Sequence, residues 1–302
     1  MKFRHFLYLI LFTFLILFYP GDSLYVKIFS ANNNLPSIEK DINFKFQPVP
    51  FIKDNSPLPE VSAEGILILD LDSFTPIYER NVSGNFLPAS TVKIITALTA
   101  MDIYKLDDIL TVKGVMPDGQ VLGLIQDEKM TFENLLYGML VYSGNDAAYT
   151  IANNYKDGYD KFIEKMNEKA KEIGMKNTHF KNPAGLDSAD QYSTPMDLAL
   201  AGRVLLRNKT LAKIVSTKSI TINDVDFKYF YNITNVNELL GEIPGLGGLK
   251  TGYTEDAGQN LVSFYKHGGH QYLIVVLKSK DRFLDTRNIL KWMDTSVDYY
   301  SI

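Results

Sequence analysis

Gly247-Gly248-Leu249-Lys250-Thr251-Gly252-Tyr253-Thr254 is a glycine-bracketed strand that carries a lysine and a hydroxyl at its centre. Two earlier segments give it meaning. Ser90-Thr91-Val92-Lys93 opens an apolar helix, and Ser143-Gly144-Asn145 follows a second one. Two serines, two lysines and an amide brought to one cleft describe an acyl-transferring enzyme with a lysine base.

Short matches need context. S-x-x-K occurs at Ser37–Lys40, Ser90–Lys93 and Ser263–Lys266, and S-x-N also occurs at Ser30–Asn32 and Ser83–Asn85, whereas K-T-G occurs once. Ser30 and Ser37 lie in a polar stretch bearing Pro and Asn. Ser263 and Lys266 fall in a strand pattern, where positions three apart point to opposite faces. Ser90 and Lys93 alone share a helix face, with Cβ atoms roughly 5–6 Å apart.

Composition narrows the alternatives. The 302 residues are 46% hydrophobic and 22% charged, ordinary values for a globular chain of one or two domains. A net charge of -4 offers no basic excess for phosphates, so nucleic acid is not an expected partner. With no cysteine, disulfides, thiolate zinc sites and a cysteine nucleophile are excluded. Four scattered histidines (His5, His179, His267, His270) suggest no metal cluster, so neither metal nor cofactor is expected. No G-x-S-x-G elbow supports a Ser-His-Asp triad.

Lys2 and Arg4 precede an apolar run from Phe6 to Tyr19, closed by Pro20-Gly21. As a helix that run spans ~21 Å, short of a ~30 Å hydrocarbon core. Residues 1–29 therefore read as a secretory signal, with a weak site at Gly21-Asp22-Ser23, or as an uncleaved anchor extended through Leu24 to Phe29. Either reading puts the rest of the chain outside the cytoplasm, with membrane contact through this segment. Residues 30–60 lack periodicity and carry Pro36, Pro48, Pro50, Pro57 and Pro59, so a disordered linker is expected there. A catalytic domain is expected over 61–302.

Within it, Gly65–Asp70 and Pro76–Glu79 read as a hairpin, and Ser90 to Tyr104 as a buried helix. Helices are also expected over Phe132–Val141, Asp146–Asn153, Lys156–Ile173 (amphipathic), Thr194–Leu206 and Arg282–Val297. Strands are clearest at Leu249–Thr254, Leu261–Tyr265 and Tyr272–Leu277. Strands at both ends with helices between predict one α/β layer structure. It would be a mixed, mainly antiparallel sheet built from both ends and flanked by helices, with a helical insert carrying Ser143.

The combination resembles the D-alanyl-D-alanine carboxypeptidases, the low-molecular-mass penicillin-binding proteins, from about Val61 onward. Leu87-Pro88-Ala89-Ser90, Tyr142-Ser143-Gly144-Asn145-Asp146-Ala147-Ala148, Phe180-Lys181-Asn182-Pro183-Ala184-Gly185-Leu186, Lys250–Thr254 and Ala257-Gly258-Gln259-Asn260-Leu261-Val262 all read like family segments. The resemblance implies the β-lactamase/transpeptidase-like fold, with an active cleft between sheet and helical subdomain. It implies stem peptides of peptidoglycan ending in D-Ala-D-Ala as substrates, β-lactams as covalent inhibitors, and a place in the cell envelope.

Residue by residue, Ser90 would be the nucleophile, Lys93 its base, and Ser143 the proton relay to the leaving amine. Lys250, by its charge, would oppose protonation of Lys93, as burial would. Asn145 would hold the substrate peptide, and Ser90 N–H with Tyr253 N–H would form the oxyanion hole. Gly252 would let substrate lie along the strand. Lys250, Thr251 and, by resemblance, Arg282 would receive the terminal carboxylate. The Phe180–Leu186 segment is expected to be a structural loop without a catalytic role, and His179 to be structural. A D,D-endopeptidase acting on cross-links would use the same residues. A β-lactamase reading lacks the class A E-x-x-L-N motif, and a P-loop reading fails because Leu249, not Gly, precedes Lys250.

Overall fold

The computed structural model describes residues 2–17, 47–54, 56–114 and 118–300. The chain divides into a unit before residue 47 and a folded unit from Gln47 onward. In the first unit, helix α1 (Lys2–Leu17) runs 16 residues and exposes Phe3, Phe6, Leu7 and further apolar side chains. Among the described residues, no helix is long and apolar enough to cross a membrane. The candidate cleavage site at residues 21–23, the Leu24–Phe29 extension, and Ser30 and Ser37 lie outside the described residues.

The folded unit is organised by period-two alternation in a strand with no exposed face. In β2 (Gly65–Asp70) every residue is buried, because Ile66 and Ile68 face one core while Leu67 and Leu69 face another. With β3 (Pro76–Arg80), β8 (Leu246–Thr254), β9 (Gly258–His267) and β10 (His270–Ser279), β2 forms a five-stranded antiparallel sheet ordered β3-β2-β10-β9-β8. Its members come from both ends of the catalytic region, as the sequence pattern implied.

One face packs on α8 (Arg282–Ser296) through Ile289, Leu290, Trp292 and Met293. The other packs on the helical layer: α2 (Lys93–Met101), α3 (Phe132–Leu140), α4 (Asn145–Asn153), α5 (Tyr159–Glu172), α6 (Pro195–Arg207) and α7 (Lys209–Val215). Two small hairpins accompany these helices, β4 (Ile109–Thr111) with β5 (Lys129–Thr131) and β6 (Ser219–Asn223) with β7 (Phe230–Thr234). Burial of eight of the nine α2 residues agrees with apolar side chains around most of its circumference.

Two local features differ from the sequence reading. The helix expected from Ser90 begins as a 3-10 turn, Ala89–Val92, and becomes α-helical only at Lys93. Residues 47–60, expected to be linker, belong to the folded unit. There β1 (Val49–Ile52) pairs antiparallel with β11 (Val297–Tyr300), Phe51 stacks on Tyr300 at 4.1 Å, and Trp292 Nε1 donates to Pro57 O at 2.6 Å. Pro48 and Pro50 suggested no order, yet a two-stranded ladder tolerates proline where no N–H is needed. The remainder of the linker, residues 30–46, lies outside the described residues.

Asp70, Asp72 and His270 place oxygen or nitrogen atoms within 4.8 Å of one another. Asp70 has a structural explanation: it accepts from Ser73 N and Oγ at the hairpin turn and from Tyr299 OH at 2.8 Å.

Candidate active site

The site forms where the 3-10 turn meets strand β8. Ala89 has φ 46°, a left-handed conformation costing about 1–3 kcal/mol for a residue with a side chain. The turn is held from both sides. Thr91 Oγ1 donates to Pro88 O at 2.6 Å, and the fully buried Asn260 donates through Nδ2 to Leu87 O at 2.9 Å. The loop at residues 182–186 closes the back, where Asn182 Oδ1 accepts from the N–H groups of Ala184, Gly185 and Leu186. Gly185, at φ +88°, lies so close that an added Cβ would sit 1.9 Å from Ala89 O.

Lys93 lies beneath Ser90 with no solvent exposure. Its Nζ is 2.7 Å from Ser90 Oγ, and it donates to Asn145 Oδ1 at 2.7 Å and to Ala184 O at 2.9 Å. Burial lowers its pKa to about 7, opposed by the charge of Asp146. A neutral amine has two N–H groups and one lone pair. Asn145 Oδ1 and Ala184 O can only accept, so they take the two N–H groups, and the lone pair is left for the one neighbour that can donate, the Ser90 hydroxyl. The surroundings therefore fit a base in waiting.

Lys250 reaches the same cleft by a different device. Gly248 pairs with Ser263 and Lys250 with Val262, so Leu249 is an extra residue in β8. This β-bulge turns two successive side chains, Leu249 and Lys250, toward the helical layer. Lys250 Nζ donates to Ser143 Oγ and to Thr251 O, both at 2.8 Å. Its pKa falls well below the usual lysine range through burial first, then through the positive charges of Lys93 and Arg282. Ser143 is itself left-handed at φ 69° and 6% exposed.

Asn145 is turned inward. Its Oδ1 accepts from Lys93, and its Nδ2 donates to Asp118 O at 2.7 Å. Asn145 thus also holds the lysine, beside the substrate contact that the resemblance implies for it. The neighbouring Asp146 was not singled out in the sequence. Its carboxylate accepts from Leu122 N, Gly123 N, Leu124 N and Ala147 N, tying residues 122–124 to the start of α4.

The open space is a cleft of about 350 Å³. Ser90, Ser143, Thr251, Gly252, Tyr253 and Arg282 line it, as expected from the sequence, together with Gly119, Gln120 and Val236, which no motif marked. Gly252 packs against the turn that carries Ser90, since an added Cβ would lie 3.0 Å from Ser90 N. Tyr253 is 61% exposed at the rim. Arg282, just inside α8, donates through Nη1 to Gly252 O at 2.9 Å.

Of the segments given no role beforehand, 182–186 proves to touch the site, through Ala184 O on Lys93 and Pro183 O accepting from Thr96 Oγ1. His179 instead exchanges backbone hydrogen bonds with Tyr192. Ser263 faces away from the helical layer, opposite Ile274, and Lys266 is exposed, which removes that S-x-x-K pair from the chemistry.

Known proteins resemble this chain in sequence and fold. The sequence model of the peptidase S11 family, D-alanyl-D-alanine carboxypeptidase, matches residues 52–281. D-alanyl-D-alanine carboxypeptidase DacF of Bacillus subtilis is 31% identical, over 84% of this chain and 68% of that one. DacB2 of Mycobacterium tuberculosis is 34% identical, over 73% of this chain and 76% of that one. Among solved structures, the Streptomyces K15 DD-transpeptidase superposes with a TM-score of 0.74 at 30% identity, covering 78% of this chain and 98% of its own. A D-alanyl-D-alanine carboxypeptidase from Mycobacterium tuberculosis gives 0.75 at 28% identity, covering 83% and 99%. With the S-x-x-K, S-x-N and K-T-G segments converging on one cleft, the chain belongs to the D-alanyl-D-alanine carboxypeptidase family, serine peptidases of the penicillin-binding fold that work through an acyl-enzyme.

Proposed function

We propose that Ser90 is the residue acylated, and that the substrate is a peptidoglycan stem pentapeptide whose terminal D-alanine is released. Ser90 Oγ adds to the carbonyl of the penultimate D-alanine as its proton passes to Lys93 Nζ. The C–N bond then breaks, and the leaving amine takes a proton through Ser143, backed by Lys250. Water adds to the ester and frees the shortened peptide as an acid. The Ser90 and Tyr253 N–H groups hold the developing oxyanion, at about 3 kcal/mol per donor in such sites. Lys250, Thr251 and Arg282 meet the free carboxylate beyond the scissile bond. A β-lactam enters the same path and stays esterified.

The observation that carries this reading is the 2.7 Å approach of Lys93 Nζ to Ser90 Oγ, at a lysine held near neutrality by burial. The enzyme would act on the outer side of the cytoplasmic membrane, delivered or retained by the apolar segment at the start of the chain. Mass spectrometry of products from a defined pentapeptide muropeptide tests the reaction, with a cross-linked dimer and an added amine acceptor run in parallel. Loss of one D-alanine from the monomer is expected as the fastest event. Faster cleavage of the dimer would make the enzyme an endopeptidase. Dominant transfer to the amine would make it a transpeptidase, like the Streptomyces K15 DD-transpeptidase.

A further inference from the structure

The hairpin β6–β7 stands beside the cleft, and its two faces differ sharply. Ile220, Ile222, Tyr231 and Ile233 turn inward to the helical layer, with Ile222 and Ile233 buried. The opposite face is built from the registered pairs Ser219–Thr234, Thr221–Asn232 and Asn223–Phe230. These carry hydroxyls, amides and one aromatic ring, with no charge among them.

The tip is held by hydrogen bonds and carries exposed rings beside one ion pair. Asp224, 4% exposed, accepts from Lys228 N, Tyr229 N and Asp226 N, while Val225 N donates to Lys129 O. This fixed turn holds Phe227 at φ 57°, a left-handed conformation that a bulky residue seldom adopts. Phe227 is nevertheless 68% exposed, Phe230 60% and Tyr229 42%. A strained backbone that keeps aromatic rings in water points to a role outside the core. The ribbon is also continuous with the cleft. Val236, two residues beyond β7, lines the cleft and donates its N–H to Val141 O, two residues before Ser143. From Thr234 to Phe230 the ribbon extends ~13 Å.

We infer that this face binds the glycan strand from which the stem peptide hangs, a proposal that rests on the D,D-peptidase reading above. A neutral polysaccharide offers what the surface complements. Pyranose C–H faces stack on exposed rings, while hydroxyl and N-acetyl groups pair with Ser, Thr and Asn side chains. A lipid surface would call for a cluster of cations near the rings, whereas Lys228 at the tip pairs with Asp226 at 3.0 Å, which leaves exposed Lys129, beside Val225, as the nearby positive charge. Binding there makes the polymer-borne stem a better substrate than the free peptide, because the second contact becomes intramolecular.

The test uses the full chain with Phe227→Ser and Phe230→Ser combined, and Phe227→Tyr with Phe230→Tyr as the control that keeps the rings. Against a soluble peptide ending in D-Ala-D-Ala, kcat/KM should match wild type in both variants, which also reports correct folding. Against uncross-linked glycan strands bearing pentapeptides, the serine variant should lose about tenfold in kcat/KM, mostly through KM, while the tyrosine variant keeps most of it. Calorimetry with a peptide-free hexamer of β-1,4-linked N-acetylglucosamine should show binding that the serine variant lacks. Equal turnover of strands by the serine variant and wild type would overturn the proposal. So would loss of binding to phosphatidylglycerol vesicles with strand turnover unchanged, which would make the tip a lipid contact. If wild type left the soluble peptide uncut, the assigned reaction would fail instead, and hexamer binding would still judge the hairpin separately.

Discussion

Ser90–Lys93 and Ser143–Lys250 show nearly the same oxygen–nitrogen distance, 2.7 and 2.8 Å, and both lysines are buried. They are assembled in opposite ways. The first pair sits one helical turn apart in sequence, and two obligate acceptors occupy the amine's N–H groups. The second joins residues 107 positions apart, one on a strained loop and one beside a β-bulge, and a single carbonyl, Thr251 O, also receives from its nitrogen. The difference fits the roles proposed above. Lys93 has its lone pair aimed at one hydroxyl, as a base requires, whereas Lys250 keeps hydrogen-bonding capacity for a substrate carboxylate and a passing proton.

The largest expected effect separates the two serines. Ser90→Ala should form no penicillin adduct in intact-mass analysis, while Ser143→Ala should still be labelled, more slowly, on Ser90. An adduct surviving Ser90→Ala would erase the distinction. Next come the lysines. Lys93→Ala should lower the acylation rate by ~10²–10⁴, the range for loss of a general base, and Lys250→Ala should act more strongly on KM for a carboxylate-bearing substrate. Stopped-flow acylation beside steady-state kinetics would reveal whether both fall on the same constant, which would make the pairs equivalent.

A subtler change should sharpen the contrast. The base works when neutral, so acylation should rise with pH through about 7 as Lys93 loses its proton, and flatten above it. Asn145→Asp would set a carboxylate where Oδ1 now accepts from Lys93, favouring the ammonium. The rise should then move to higher pH, with a loss on the order of 10² at pH 7 and recovery in alkali. A pH–rate profile with an unshifted limb would show that Lys93 does not set it. Smallest is Asp146→Ala, which frees residues 122–124 from α4. It should cost about tenfold in acylation and less in carboxylate affinity, readable from kcat/KM against a competitive D-Ala ligand.

The Ser90–Lys93 pair was legible in the sequence because a spacing of three is a local property that the 3-10 turn leading into α2 preserves, and so were the hairpin Gly65–Glu79 and the antiparallel strands. Long-range geometry was not. Nothing around Leu249 announces a bulge, since only the register against β9 reveals it. Val49–Ile52 looked like linker because its partner lies some 250 residues away, and its own prolines argue against a strand. Asn145 was recognised as part of the site, yet its direction depends on Asp118, which no motif contains. Asp146, Asn182 and Asn260 stood inside recognisable segments. Their service is to backbone groups, a role that composition and spacing do not display.

Gly185 has a consequence for how such an enzyme could escape its inhibitors. The position lies 95 residues from Ser90, outside the cleft lining, and would look free to drift. Any side chain there would press on Ala89 O and require an unfavourable φ, displacing Ser90. On the proposed mechanism drug and natural peptide are attacked by the same Ser90 hydroxyl, so a shift that spares the enzyme from a β-lactam would forfeit turnover of the stem peptide as well. On that mechanism, selection for resistance is expected to leave this position fixed and to act on the rim of the cleft instead.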